Sequence, residues 1–499
     1  MTWDERQHAL ATRLAGHPLT ALEQGTLVVI PSTTFPSVEL RKITGIEHYE
    51  ERMLFTVLLL RRPELRIVFV TAVPVDGAVT EYFLRHLPDP DDARRRLHLV
   101  SVGDPEPRAL SEKLLARPDV LDEIRARAGD ASSACVLPFN VTPLERRVSD
   151  ALGLPVFGAS PEQFVLGSKT GSRRVARRAG VAVLDGAEGL GSVDEVERAV
   201  TELIERQPEA RAVVVKLNNG FSGQGNAIID VADLTAPLDA SPTYFCAEGE
   251  SWPSFGAKIA AEGAIVEELV RHPGATSPSA QLRIAPGGRA EVLSTHDQVL
   301  GGRDSQVYLG CRFPARDAYR PAVTVAARRV ADVLAAEGVI GSFGIDFVVV
   351  PDGDAHIAYL SEINLRLGGT THPFWMARLV TGGTYDEEAG ELMVGGSRRA
   401  YVATDNLRSP ALVGRRPAEV IDAVERLGLG FDAATGTGVT LHLLGALPRY
   451  GKMGAVCIGR TPEEAEAIDR RLHAAVEQLP PEGSEPAAPP RSPPASGDG

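Results

Sequence analysis

Cysteine is scarce in this chain. The four present, Cys135, Cys246, Cys311 and Cys457, lie far apart with no Cys-x-x-Cys pair, which excludes a zinc knuckle and a disulfide framework. They are expected to be small packing residues. Long apolar runs are also missing: the best candidate, 55–70, is broken by Arg61, Arg62, Glu64 and Arg66, so no membrane span and no membrane partner is expected. The first six residues have neither the basic start nor the apolar stretch of a signal peptide, and a cytoplasmic location is expected. Positive charge is in deficit, with 52 Lys and Arg against 66 Asp and Glu and a net charge of -14. That excludes a general nucleic-acid binder, whose affinity rests on cations against phosphates. A single nucleotide stays allowed, because it needs only a local cluster of cations. There is no Gly-x-x-x-x-Gly-Lys-Ser/Thr loop, no complete dinucleotide fingerprint and no internal repeat.

What is present is the material for a large core. Hydrophobic residues make up 43% and charged residues 24%, as in ordinary folded proteins, and 499 residues at roughly 150 per domain suggest about three domains. Residues 1–155 alternate apolar runs at 26–30, 66–73, 98–102 and 135–137 with amphipathic helical stretches at 46–60 and 109–126. This predicts an N-terminal α/β domain with a small parallel sheet. A short strand at 155–158, a basic helix at 171–179 stopped by Gly180, a helix at 193–205 and an apolar strand at 212–217 follow. Strands at 263–268, 280–284, 291–294, 343–350 and 356–363 with a helix at 321–337 predict α+β units over 156–270 and 271–400. Strands at 438–444 and 454–458 and a helix at 462–477 predict a small α+β C-terminal unit over 401–479. Residues 480–499 hold seven prolines and no apolar side chain larger than alanine, a composition that predicts a disordered tail.

The most informative segment runs from Ser342 to Arg366. Pro351-Asp352-Gly353-Asp354 between two strand-like runs reads as a hairpin turn, with glycine at the positive-φ position. Asp346 then falls opposite 360–362, so Asp346 and Glu362 become neighbours across the ladder, where like charges repel. A cation between them would resolve the conflict. Strand alternation puts Glu362, Asn364 and Arg366 on one face, and the hard oxygens of Asp, Glu and Asn suit Mg²⁺. A plain solvated hairpin is the alternative, disfavoured because both acids interrupt apolar strands.

A second segment, Lys216-Leu217-Asn218-Asn219-Gly220-Phe221-Ser222-Gly223-Gln224-Gly225-Asn226, ends an apolar strand. It sets a cation beside flexible backbone N–H groups, as a phosphate cradle would, although a surface hairpin has the same look. Lys169 opens the basic helix, and Glu267-Glu268-Leu269-Val270 closes an apolar run.

Taken together and in this order, these segments resemble the ATP-grasp superfamily. The resemblance implies that Lys169 and Lys216 bind ATP phosphates, that Gly220, Ser222, Gly223 and Gly225 form a covering lid, and that Glu267, Glu268 and Val270 meet adenine, largely through backbone. It implies metal ligation by Asp346, Glu362 and Asn364, with Arg366 and Lys216 steadying the transferred group. One departure is that the first metal ligand is Asp346, where many relatives carry glutamate. Three further stretches, 295–302, 369–373 and 441–454, resemble the peptide ligases typified by the enzyme of pheganomycin biosynthesis, and single out His296, Asp297, Arg303 and His372 as substrate residues. ATP and Mg²⁺ are the implied cofactors. The implied reaction joins a small acid, a non-proteinogenic amino acid, to a peptide or other amine through an acyl phosphate. A same-fold thiol ligase or carboxylase and a non-catalytic nucleotide-binding module stay open, as does the oligomeric state, a homodimer included.

Overall fold

Strands β1 (Gly25–Ile30), β2 (Leu65–Thr71), β3 (Leu97–Ser101) and β4 (Ala134–Pro138) form a parallel sheet in the order β3-β2-β1-β4. Such a sheet is covered on both faces, which is why its central strands read as unbroken apolar runs. The computed structural model describes residues 1–14, 24–220, 225–301 and 307–479. The lid residues Ser222 and Gly223, the substrate candidate Arg303 and the tail 480–499 lie outside them.

A second, antiparallel sheet holds β5 (Gly186–Leu190), β6 (Ala212–Leu217), β7 (Asn226–Asp230), β8 (Tyr244–Phe245) and β9 (Ala264–Glu268), in the order β5-β9-β6-β7-β8. The third sheet is built from β10 (Pro278–Ile284), β11 (Ala290–Gly301), β12 (Val307–Phe313), β13 (Gly341–Asp352), β14 (Ala355–Asn364), β15 (Thr384–Asp386), β16 (Glu391–Val394), β17 (Ser397–Arg408), β18 (Gly438–His442) and β19 (Lys452–Gly459). Its path is β14-β13-β10-β11-β12-β17-β16-β15, and β19 pairs with both β17 and β18. The C-terminal unit is therefore an extension of the third sheet. The expected 400/401 boundary falls inside β17, which bonds β12 on one side and β19 on the other. A single apolar core also joins N-terminal Leu27, Phe55 and Phe69 to C-terminal Leu441 and Val456, and the Leu441 N–H donates to the Tyr82 hydroxyl at 2.8 Å.

Three local expectations are corrected. The stretch expected at 109–126 divides into Leu110–Leu115 and Pro118–Ala128, because Pro118 cannot continue a helix but suits a first turn. The helix expected at 46–60 is Ile46–Arg61 in 3₁₀ winding. It is not amphipathic: even Glu47, Glu50 and Glu51 are buried, since it packs against β2, the Thr371–Thr381 helix and the C-terminal unit. At 155–158 there is only an isolated bridge from Val156 to Val136.

Candidate active site

The hairpin β13–β14 turns at Gly353, φ 59°, and brings Asp346 directly opposite Glu362. On β13 alternate residues divide between two faces. Phe343, Ile345, Phe347 and Val349 are core, whereas Gly344, Asp346 and Val348 line a cavity of about 970 Å³. On β14 strict alternation would put Leu360 beside Glu362 and Asn364. Instead the register shifts between Asp346 and Phe347, whose partner is Leu360, so Ser361 is the extra residue of a β-bulge. The bulge flips the face: Leu360 and Ile363 are both core, while Ser361, Glu362, Asn364 and Arg366 line the cavity.

The two acids are not satisfied by each other. Asp346 Oδ1 accepts from Gln298 Nε2 at 2.6 Å, and Oδ2 accepts from Asn364 Nδ2 at 2.9 Å. Burial, then the nearby Glu362 charge, push the Asp346 carboxyl up to about 7. Glu362 Oε1 meets Lys169 Nζ at 2.5 Å. Arg366 is sequestered too, and its guanidinium is pushed below its usual range by burial, against the pull of Glu362 and Asp346. Carboxylate and amide oxygens on one wall, with only amides bonded to Asp346, fit a hard divalent cation such as Mg²⁺.

Lys216 lies across the cavity on β6, its Nζ 2.7 Å from Glu267 Oε2. Glu267 is fully buried and also takes Arg173 Nη1 on Oε1 at 2.5 Å. Burial alone would raise the Glu267 carboxyl, but Lys216 and Arg173 hold it below its usual value. Glu267 thus stands behind the wall and fixes Lys216. The other hinge residues, Glu268, Leu269 and Val270, do line the cavity. The Glu268 and Leu269 N–H groups bond Asp185 and Ala212 carbonyls, which leaves Val270 as the backbone donor nearest to hand.

Lys169 begins the Lys169–Arg178 helix, whose N-cap Ser168 accepts from the Gly171 N–H. Its Nζ spans from Glu362 to the Gly220 carbonyl at 3.1 Å, and so ties the acid wall to the base of the glycine-rich loop. A Cβ on Gly220 would lie 2.8 Å from Gly225 Cα, so both ends of that loop need glycine to pass one another.

Three of the substrate candidates are described. His296 is a core residue: it is 0% exposed, its Nε2 lies 2.6 Å from the Tyr401 hydroxyl, and its ring packs on Phe313. Asp297 turns to the helix side and accepts from the Tyr319 hydroxyl at 2.7 Å. Neither lines the cavity, because on this strand they meet aromatic partners that the sequence pattern does not locate. His372 is buried against Asp405 and His442. Residues that the motif reading passed over are Gln298, Arg52 and Asp405, all on the cavity wall. Asp405 had one usable signal, an acid in the apolar run of β17.

Comparison with known proteins places the fold in a family. An IQCH-like, ATP-grasp family model matches residues 240–388, and the PGM1 C-terminal domain model matches 419–472. The L-propargylglycine–L-glutamate ligase of Streptantibioticus cattleyicolor is 33% identical over 466 residues, covering 90% of this chain and 93% of that protein. The chain belongs to the ATP-grasp superfamily. Within it, the chain is a carboxylate–amine ligase. Two solved structures show the same fold at low identity. Biotin carboxylase from Campylobacter jejuni has a TM-score of 0.54 at 13% identity, covering 90% of each chain. The biotin carboxylase domain of Hydrogenobacter thermophilus 2-oxoglutarate carboxylase, complexed with MgADP, has 0.55 at 14%, covering 90% and 89%. In this ATP-grasp ligase the second and third sheets are the two jaws, and the cavity lies between them. No helix among the described residues is long and apolar enough to cross a membrane.

Proposed function

We propose that this ligase activates the carboxylate of an amino acid by phosphorylation from ATP and passes the acyl group to the amine of a second amino acid or a peptide. The observation that carries the reading is the pair of opposed acids Asp346 and Glu362, facing the same cavity as Lys169, Lys216 and Arg366. A carboxylate is a poor electrophile, and conversion to an acyl phosphate gives its oxygen a way to leave. Lys216, anchored by Glu267, and Lys169 lie where they can neutralise phosphate oxygens. The Val270 N–H on the hinge is the donor for a purine edge. Mg²⁺ held by Asp346, Glu362 and Asn364 would supply charge neutralisation at the transferring phosphoryl group. Arg366, beside both acids, is placed to hold the incoming carboxylate and then the oxyanion that forms when the amine attacks. The acyl phosphate is labile to water, which gives a glycine-rich cover over 219–226 a purpose.

The test is to incubate purified protein with ATP, Mg²⁺ and paired amino-acid and amine libraries. ADP and phosphate must appear only when both substrates are present, with a condensed product of the summed mass less water. AMP and pyrophosphate as main products would sink the acyl-phosphate reading. ADP release driven by bicarbonate or a thiol in place of the amine would move the chain to another reaction of the fold.

A further inference from the structure

One end of the cavity is not used by the chemistry above. Where it meets the Ile46–Arg61 helix and strands β17 and β19, it is lined by Tyr49, Arg52, Asp405, Arg408 and Lys452. Three are cations and one is an acid. Arg52 and Lys452 share Tyr49: the Arg52 guanidinium lies 4.6 Å from the ring centroid and Lys452 Nζ 4.7 Å, and Lys452 Nζ donates to the Tyr49 hydroxyl at 2.6 Å. Arg408 is the cross-strand partner of Lys452 and makes no ion pair with the described residues. Lys452 is only 1% exposed, and burial, then the charges of Arg408 and Arg52, bring its ammonium down to about 8. A buried ammonium beside two arginines is costly to keep charged unless an anion joins the group.

The one acid is already committed. Asp405 Oδ1 lies 2.8 Å from Nε2 of both His372 and His442, and its Oδ2 faces Arg52 Nη1 at 3.6 Å. Burial would raise the Asp405 carboxyl, but His372 and His442 hold it well below its usual range. The clamp is built at some cost. A Cβ on Gly454 would lie 2.0 Å from His442 Nε2, so only glycine lets the imidazole in. Leu443, the next residue, is the one described non-glycine residue at positive φ, 55°, a strain that persists only where surroundings enforce it. His372, Asp405 and His442 also have the donor types of a metal site. Three cations beside them favour an anion at this end instead.

We propose that this end of the cavity is a subsite for a carboxylate that does not react. Arg52, Arg408 and Lys452 hold the free carboxylate of an amino-acid substrate, and Asp405, clamped by His372 and His442, is a positioning residue that aims Arg52. The proposal rests on the ligase reading and adds that one substrate must keep a free carboxylate while the amide bond forms elsewhere. Arg52 also bears electrostatically on Arg366, so the subsite is next to the reacting centre.

The test uses the full chain with MgADP, and as probes the free L-amino acids and their α-carboxamides, read by thermal shift and then by ADP release. At least one amino acid is expected to raise the melting temperature while its carboxamide does not. Arg408→Gln, an exposed change that spares the fold, should weaken that amino acid roughly ten- to a hundred-fold, the loss of one charge-assisted contact. Asp405→Asn should raise the KM for the amino acid with the KM for ATP unchanged, a split that general loosening would not give. Equal binding of acids and carboxamides, or a shift with MgADP but with no amino acid, overturns the subsite and leaves the ligase reading standing. Absence of any shift with MgADP overturns both. One zinc per chain in the purified protein, lost in His442→Ala, would overturn the anion assignment in favour of a metal.

Discussion

Glu267 and Asp346 are both carboxylates at the edge of the same cavity, Glu267 fully buried and Asp346 half-buried, and their surroundings are opposite. Glu267 has a cation on each oxygen, Lys216 and Arg173, and its proton affinity falls. Asp346 has two neutral amides and a second acid opposite, and its proton affinity rises. Glu267 is completed within the protein; Asp346 has no cation bonded to it, although Lys169 and Arg366 lie near. A complete cluster stabilises the fold, and an incomplete one makes sense only with a ligand that carries what is missing. The contrast is a means of telling scaffold from site without reference to relatives.

The largest effect should come from breaking the complete cluster. Glu267→Gln leaves Lys216 and Arg173 buried without their anion, which should cost on the order of 3–5 kcal/mol of stability. Urea unfolding of the ligand-free protein measures it, and a loss below 1 kcal/mol would mean the cluster is solvated. Glu362→Gln should act mainly on turnover. It removes a like charge from Asp346 but also leaves Lys169 without the acid it meets, so the melting temperature should fall less than in Glu267→Gln, while kcat for ADP release drops by about 10²-fold or more. A variant that kept wild-type turnover at low Mg²⁺ would remove Glu362 from the site.

Lys216 belongs to both sides of the comparison. Lys216→Ala should weaken ATP by roughly ten- to a hundred-fold through one lost charge-assisted contact, measured by calorimetry. It should also lower stability, because Glu267 keeps only Arg173. The sequence reading gave Lys216 a ligand and no structural partner, so a stability loss separates the two accounts. Added Mg²⁺ should not restore nucleotide affinity, since it cannot stand in for the lysine.

The parts of the site legible in the sequence were those set by local rules. Turn chemistry at 351–354 and strand alternation were enough to bring Asp346 opposite 360–362 and to group Glu362, Asn364 and Arg366; the bulge at Ser361 that makes Glu362 the partner and turns Leu360 to the core was not legible. What escaped was set by distant contacts. Nothing local to Gln298 announces that it bonds Asp346 from another strand. Arg173 read as one of four arginines on a basic helix, yet it is 1% exposed and holds Glu267. The C-terminal strands read as a separate unit because sheet continuity through β12, β17 and β19 depends on β12–β17 pairings about ninety residues apart, such as Cys311 with Ala403. His296 and His372 looked alike as histidines beside conspicuous motifs. One is locked on Tyr401 in the core, and the other belongs to the Asp405 clamp.

The smallest effect on activity, and the one that sharpens the contrast most, is at His296. It is satisfied within the protein like Glu267, although it is a single neutral group. Its imidazole is depressed to about 3 by burial. The unfolded chain, with an ordinary histidine near 6.5, therefore binds the proton more readily than the folded one. By linkage, the stability owed to this group is fully present above pH 6.5 and is lost as pH falls toward 3. His296→Gln removes that dependence while keeping a polar partner for Tyr401. The wild-type urea midpoint should thus fall more steeply than the variant's between about pH 6.5 and 4.5, with a cost at pH 7 of about 1–2 kcal/mol for the altered hydrogen bond. Because the side chain does not reach the cavity, kcat/KM at pH 7 should stay within about two-fold, the margin usual for a change that leaves transition-state contacts intact. A ten-fold fall in kcat/KM with an unchanged unfolding profile would return His296 to the substrate.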